Sequence, residues 1–523
     1  MDQRTEQINQ LSAGRRDVLI IGGGINGASC AASLAAAGMK VTLVERGDFA
    51  SETSQSSSNL VWGGIKYLQS GCISLVSKLC RSRNILIRSY PSSVREIRYF
   101  TILQKSSPSR LLFYVGTWVY WLFGRGFTVM PRLLSAREVN EATGAESVGG
   151  VEYSDAYLPD NDARFTFQFI RAAWRYGAQA VNYVEAVRCC REKNDGNRWV
   201  TTLRDVRSGK EHKIESDVII NAAGPMVDEM NDVNGVDTGS RIVFSKGVHL
   251  IVPQLTELTK TMTFFADDGR LFFAIPMESR TCIGTTDTPQ ENWASEATQD
   301  DIEFILDNIN AQMRLRKPLT KEDVIATRCG VRPLAVSKGT KNQGDWMKLC
   351  RKHVTELDQD RKYISIYGGK LTDCVNIGNE LRAICEQLGY HSKKQQWYGE
   401  DEGKVAFLAK ATRLKKECLD GIDNSAERLW RRYGKEAGEL LSMIDDEPDL
   451  ANEVITGTGV LRAEVKYAAD HEMVVTMEDF LRRRTNISLC HRLSEAYEEM
   501  SEMAEMLFGQ DGGDRLREYQ QAQ

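Results

Sequence analysis

Three glycines, Gly22, Gly24 and Gly27, stand in GxGxxG spacing behind the apolar run Val18–Ile21 and ahead of an alanine-rich stretch. Each has its own job in seating a dinucleotide. Gly22 permits the tight turn, Gly24 lets the backbone approach a pyrophosphate, and Gly27 lets helix and strand pack closely. The phosphates then meet free N–H groups at a helix N-terminus. Glu45 closes the next apolar run at the distance where an acid bonds a ribose hydroxyl, which favours FAD or NAD over NADP. Two later glycine turns also follow strands: VIINAAGP, with Gly224 and Pro225, and ISIYGGKLTD, with Gly368, Gly369 and Lys370. The second precedes a helix whose N-terminus suits the negative charge of a reduced flavin ring. Alone, each reads equally well as a structural turn; together with the first motif they favour FAD. One further stretch, SQSSSNLVWGGIKYL at 54–68, is too rich in hydroxyls and glycine for an ordinary helix, yet carries Trp62, Lys66 and Tyr67.

These residues need a scaffold. The segment 17–45 reads as buried strand, glycine turn, helix and second strand. Strand–helix alternation resumes at SDVIINAAGPMVDEM and KYISIYGGKLTDCVNIGNELRAI. Between them, HLIVP, RLFFAIPM and TCIGTTD read as strands of a second, more antiparallel sheet. From about Tyr398 the pattern turns helical, after a linker near 389–403. The expected architecture is α/β: a Rossmann-type dinucleotide-binding domain from 15–80, 155–235 and 325–386, a mixed or antiparallel-sheet substrate domain from 81–154 and 236–324, and an all-helical C-terminal domain over 398–523.

At 523 residues the chain is long for one compact domain, and a net charge of −5 provides no overall basic field for nucleic acid. Twelve cysteines occur without CxxC or zinc-like spacing, so no metal site is expected and reduced structural thiols in a cytosolic setting are. The start, MDQRTEQINQLSAGRRDVLI, lacks the order of a secretory signal and contains acids that transit peptides avoid, which fits a bacterial cytoplasmic protein. LLFYVGTWVYWLFG, at 111–124, is too short to span a bilayer, which takes roughly 20 apolar residues. It reads either as a buried core helix or as a monotopic element resting in the lipid interface, flanked by Arg110 and Arg125. No Asp-rich twelve-residue loop is present, so calcium control is not expected.

DVLIIGGGINGASCAASLAAAGMKVTLVE, TSQSSSNLVWGGIKYL, NAAGPMVDEM, KGVHLIVP, IGTTDT, GVRPL and YGGKLT resemble, in order, the FAD-dependent sn-glycerol-3-phosphate dehydrogenase family. The match runs from Asp17 to Thr372, and AEVKYAADHEMVVTMEDFLRRRT is similar to that family's helical C-terminal domain. Each motif is modestly specific; seven in order are strongly so. The resemblance implies a glutathione-reductase/D-amino-acid-oxidase-like FAD fold. It implies oxidation of glycerol 3-phosphate to dihydroxyacetone phosphate, with hydride passing from C2 to flavin N5 and electrons to a membrane quinone or, in some members, oxygen. A peripheral seat on the cytoplasmic face of the bacterial inner membrane is expected from the aromatic stretch at 111–124 and from the quinone partner that the resemblance implies; a homodimer follows from family habit alone.

The same resemblance assigns roles. Thr53 to Ser58, with Thr53, Ser57 and Ser58 foremost, lie along the FAD pyrophosphate, joined by Asn26, Gly224, Gly369, Leu371 and Thr372. Gly63 and Gly64 allow close passage beneath the flavin. Lys66, Tyr67, Arg332, Arg351 and Lys370 hold the substrate, with Arg332 and Lys370 stabilising developing alkoxide charge. His249 in KGVHL is the candidate base, its ordinary pKa suiting proton transfer near neutrality; a hydrogen-bonded histidine at a strand end is the equal alternative, and His353 the second candidate. The chain departs from the family at one place: His-Gly-Gly-Leu-Arg-Tyr becomes Trp62-Gly63-Gly64-Ile65-Lys66-Tyr67. Lysine keeps the charge but not the bidentate fork of arginine, and Trp62 removes a titratable group and adds bulk. An amino-acid or sarcosine-type amine oxidase, or a dehydrogenase for another anionic hydroxy compound, therefore stays open. A flavin-containing tRNA-modification protein is disfavoured because nothing suggests a nucleic-acid groove.

Overall fold

The computed structural model describes residues 3–105, 107, 109–192, 198–266, 269–339, 352–418 and 423–522. Its first sheet grows outward from the strand Arg16–Ile21, which lies parallel between Glu211–Asn221 and Val41–Val44. Gln179–Val181 and Tyr363–Tyr367 extend it in parallel, and Val354–Asp358 and Arg198–Asp205 add antiparallel. Val18 to Ile21 and Val41 to Val44 are buried throughout, as expected of parallel strands covered on both faces. The helix Ile25–Ala36 sinks against this sheet between helices Asp162–Arg175 and Cys374–Gln387; its small alanines leave room for both neighbours.

The second sheet is mixed, with ten strands among the described residues. HLIVP, RLFFAIPM and TCIGTTD fall on antiparallel neighbours, as the alternation in sequence suggests. One boundary differs from the expectation. Ala326–Ser337, assigned in sequence to the dinucleotide-binding part, pairs along its whole length with Ser240–Pro253 in the second sheet. Leu60–Val61 likewise joins Gly150–Tyr157 there. The twelve-residue strand pairs with the fourteen-residue Ser240–Pro253, and this pairing carries Arg332 to the site.

Helices from Lys404 to Gln521 form the C-terminal region. Buried ion pairs tie it to the helix and connecting segments that flank the first sheet. Arg164 donates to both oxygens of Glu472, Arg432 to Asp160 and Glu464, and Arg484 to both oxygens of Asp48. Nine cysteines are free thiols among the described residues, but Cys72 is disulfide-bonded, so the fully reduced set expected from the sequence does not hold.

The aromatic helix Arg110–Phe123 corrects the buried-core reading. Only Thr117 and Tyr120 are buried, while Leu111, Leu112 and Leu122 are more than 60% exposed at 66%, 69% and 62%. Among the described residues no helix is long and apolar enough to cross a membrane.

Candidate active site

Two cavities, of 270 and 260 Å³, share Ile25, Thr53, Ser54, Pro333, Gly368 and Gly369, forming one continuous cleft along the carboxyl ends of the first sheet. Gly22, Gly24, Asn26, Glu45 and Gly224 line the first cavity. Gly22 adopts φ of +109°, and a Cβ there would stand 2.4 Å from the Ala222 carbonyl oxygen. A Cβ on Gly27 would meet the Gly22 carbonyl oxygen at 1.9 Å, so that glycine serves the packing beneath the loop. Gly24 opens the helix with no side-chain cap. Ser54 Oγ instead accepts the Ile25 amide at 3.0 Å, tying the hydroxyl strip to the helix N-terminus. Glu45 accepts the Gly23 and Gly47 amides at 2.7 and 2.9 Å. Asn26 donates to the Gly368 carbonyl at 2.9 Å, while its buried Oδ1 has no protein partner.

Thr53, Ser57, Ser58, Lys66, Tyr67, His249, Arg332, Gly369, Lys370, Leu371 and Thr372 line the second cavity. Two paired strands bring His249 and Arg332 together. Ser245, Gly247 and His249 alternate on one strand opposite Arg332, Gly330 and Arg328 on the other, so the period of two gives both sets a shared face. The two glycines are spatial requirements. A Cβ on Gly247 would lie 2.1 Å from the Arg332 guanidinium, and one on Gly330 would lie 2.3 Å from Ser56 Cβ. Arg332 is further steered by Thr285 Oγ1 at 3.1 Å, the Thr286 carbonyl at 3.4 Å and Asp287 at 3.5 Å. Sequence reasoning quoted IGTTDT without giving it this steering role.

His249 is buried, and neither ring nitrogen has a protein hydrogen-bond partner. Burial, reinforced by Arg328 and Arg332, holds its pKa well below the ordinary imidazole value, so the ring is neutral near pH 7. That corrects both the expectation of an unperturbed pKa and the alternative of a hydrogen-bonded strand-end histidine. Lys370 Nζ sits 4.1 Å above the Tyr67 ring and 5.5 Å above that of Trp62. Trp62 packs edge-on against Phe273 at 6.1 Å, forming an apolar wall where the family carries a histidine.

Gly63 and Gly64 are absent from the lining of both cavities. A Cβ on Gly63 would meet the Tyr120 hydroxyl at 2.2 Å, and its amide donates to the buried Asp155, which also accepts from Tyr120 at 2.5 Å and from Arg83 at 3.3 Å. The glycine therefore answers to packing behind the wall. Arg351 lies outside the described residues; its neighbour Lys352 lines the second cavity and escaped the sequence reading. So did the pair Arg328–Asp162, which holds the Ser57 amide through Asp162 at 2.7 Å. His353 does not line the cavity. Its Nδ1 and Nε2 face Asp373 and Glu380, which removes it as a base candidate.

Residues 17–345 match the FAD dependent oxidoreductase family, and residues 392–513 match the C-terminal domain of alpha-glycerophosphate oxidase. The aerobic glycerol-3-phosphate dehydrogenase of Staphylococcus saprophyticus is 30% identical over 90% of this chain and 86% of its own length. The chain belongs to the FAD-dependent glycerol-3-phosphate dehydrogenase family. The family's Escherichia coli enzyme is 28% identical over 90% of this chain and 93% of its own. The solved glycerol-3-phosphate dehydrogenase from Bacillus halodurans, complexed with FAD, superposes with a TM-score of 0.78 at 25% identity, covering 99% of this chain and 97% of that one. FAD is the cofactor, and the cleft suits it: a glycine turn closed to any Cβ, a helix N-terminus opened by Gly24 and an orphan amide oxygen converge in the first cavity.

Proposed function

We propose that this chain oxidises sn-glycerol 3-phosphate to dihydroxyacetone phosphate. The observation that carries the reading is the gathering of Lys66, Arg332, Lys370 and a neutral, unpartnered His249 around one cavity continuous with the nucleotide cleft. Bound FAD supplies the hydride acceptor, N5. The protein's own residues do the rest. Arg332 and the two lysines hold the dianionic phosphate and stabilise alkoxide charge as it develops. His249 accepts the C2 hydroxyl proton at a ring nitrogen, and needs no prior deprotonation to do so. Trp62, Leu271 and Phe273 keep water from the reacting carbon. Anaerobic reduction of the bound flavin by a panel of compounds tests the reading. Bleaching by glycerol 3-phosphate, and none by glycine, sarcosine or unphosphorylated glycerol, is expected; bleaching by the amines alone would favour the amine-oxidase reading instead.

The electrons pass to a membrane quinone with the protein seated peripherally on the bilayer, and the aromatic helix supports this. Leu111, Leu112, Val115, Val119 and Leu122 form an exposed apolar face, continued by Val129 and Met130. Soluble monomers seldom expose so contiguous a patch. Co-sedimentation with anionic vesicles, lost in L112Q/L122Q, is expected. Binding that survives both changes would reject this face, and a solution dimer that buries it would assign it to a second copy.

A further inference from the structure

Behind the Gly368–Thr372 turn lies a group of charges that no step above uses. His353 is buried just ahead of the strand Val354–Asp358. Its Nδ1 lies 2.5 Å from Asp373 Oδ2 and its Nε2 lies 2.7 Å from Glu380 Oε2. Lys78, from the helix Ile73–Ser89, approaches the same Asp373 oxygen at 3.4 Å, and Asn376 donates to the other at 2.5 Å. A neutral imidazole has one N–H and can serve only one of these carboxylates from the ring; the imidazolium serves both. Burial pushes the His353 pKa down, but the bonds to Asp373 and Glu380 outweigh it and hold the value above the ordinary one. Asp373 is also the residue from which the helix Cys374–Gln387 starts, and its amide closes the turn onto the Lys370 carbonyl at 2.8 Å. On the other side of the histidine, Lys352 reaches the substrate cavity.

Building on the proposed function, we propose that His353 is a positioning residue: as an imidazolium bracketed by Asp373 and Glu380, it fastens Lys352 to the helix N-terminus that carries Lys370, and so sets the spacing of two cations in the anion pocket. Deprotonation slackens the pocket without touching the reacting carbon. The phosphorylated substrate binds more weakly, and the chemical step is spared.

The test uses FAD-loaded full-length protein, comparing wild type with H353Q, whose side chain can fill the gap but donates on one side only. KM and kcat for sn-glycerol 3-phosphate are followed from about pH 6 to about pH 9, across and above the ordinary imidazole range. In the wild type KM is expected to rise by roughly tenfold toward the alkaline end, the scale of one lost charge-assisted hydrogen bond, with kcat preserved. H353Q is expected to show the raised KM at every pH, and H353K to recover part of the loss. Nitrogen-15 spectra of the wild-type histidine rings give a readout that needs no turnover, with both His353 nitrogens protonated at about pH 7.5. A neutral His353 ring there, or an H353Q profile that overlays wild type while glycerol 3-phosphate is oxidised normally, would remove this inference alone. Failure of the wild-type flavin to be reduced by glycerol 3-phosphate would remove the functional reading and this inference with it.

Discussion

The cleft and the seam beneath the C-terminal helices are both crowded with buried arginines and acids, yet they treat polar groups in opposite ways. In the seam, charges meet their partners within the chain: Arg164 with Glu472, Arg432 with Asp160 and Glu464, Arg484 with Asp48. In the cleft, both ring nitrogens of His249 and the Oδ1 of Asn26 are buried without any protein partner. Burying polar atoms unpaired costs free energy, so a fold that tolerates it beside a cavity is arranged for something that enters. A charge matched to a carboxylate marks the joint, and a ring unpartnered at both nitrogens beside a cavity marks the site. The two histidines repeat the contrast on a small scale, since carboxylates raise the pKa of His353 while burial beside arginines lowers that of His249.

Substitutions that break this contrast have effects of decreasing size. H249N removes the proton acceptor while keeping a polar group of similar bulk, and kcat/KM is expected to fall by roughly 100- to 10,000-fold with little change in melting temperature, as general-base losses do. In the seam the order reverses. R164M takes both hydrogen bonds from the buried Glu472 and leaves it only Arg484 Nε at 3.9 Å, so unfolding free energy should drop by about 3–5 kcal/mol, measured by denaturant titration, before catalysis is affected. R332M lies on the cleft side and is expected to lower kcat/KM by roughly 100- to 1,000-fold, the scale of one lost oxyanion-type donor.

Acid sharpens the comparison further. Burial raises the pKa of Asp160, but Arg432 and Arg431 more than cancel this and hold it at about 2. Because the folded value lies below the unfolded value of about 3.9, its stabilisation is fully present above that pH and is lost as pH falls through about 2. The stability difference between wild type and D160N, followed by thermal melts against pH, should therefore be constant near neutrality and collapse only in strong acid. The smallest effect belongs to K66R. It restores the bidentate fork at the family's place for it, and use of a phosphorylated alcohol should be retained or improved by less than about tenfold in KM. Complete loss would mean that the pocket is arranged differently around residue 66.

Much of the cleft was legible because its rules are local. Gly22, Gly24 and Gly27 declare a turn by spacing, and Glu45 declares a strand end by its position; the structure lines or underlies the first cavity with all four. The second cavity was legible only in its parts. KGVHL and GVRPL carry His249 and Arg332, but no spacing reveals that their strands pair with Ser245 opposite Arg332, or that Gly247 is small because a guanidinium lies against it. The same holds for Gly63, assigned in sequence to a passage beneath the flavin, whose real constraint is the Tyr120 hydroxyl arriving from a distant helix. The seam was invisible. Arg164 and Glu472 are 308 residues apart, and a charge in sequence looks alike whether it ends in solvent or between two helices. The aromatic helix was ambiguous for a related reason: its composition is that of a core, and only the placement of Tyr120 inward and Leu112 outward decides its exposure.

The arrangement of the cleft is tested most directly by a crystal structure of the FAD-loaded H249N protein soaked anaerobically with sn-glycerol 3-phosphate. The phosphate is predicted to lie within hydrogen-bonding reach of Arg332 and Lys370, with the C2 hydroxyl facing residue 249. A phosphate bound elsewhere, or a C2 hydroxyl turned away from residue 249 with the phosphate in place, would contradict the account.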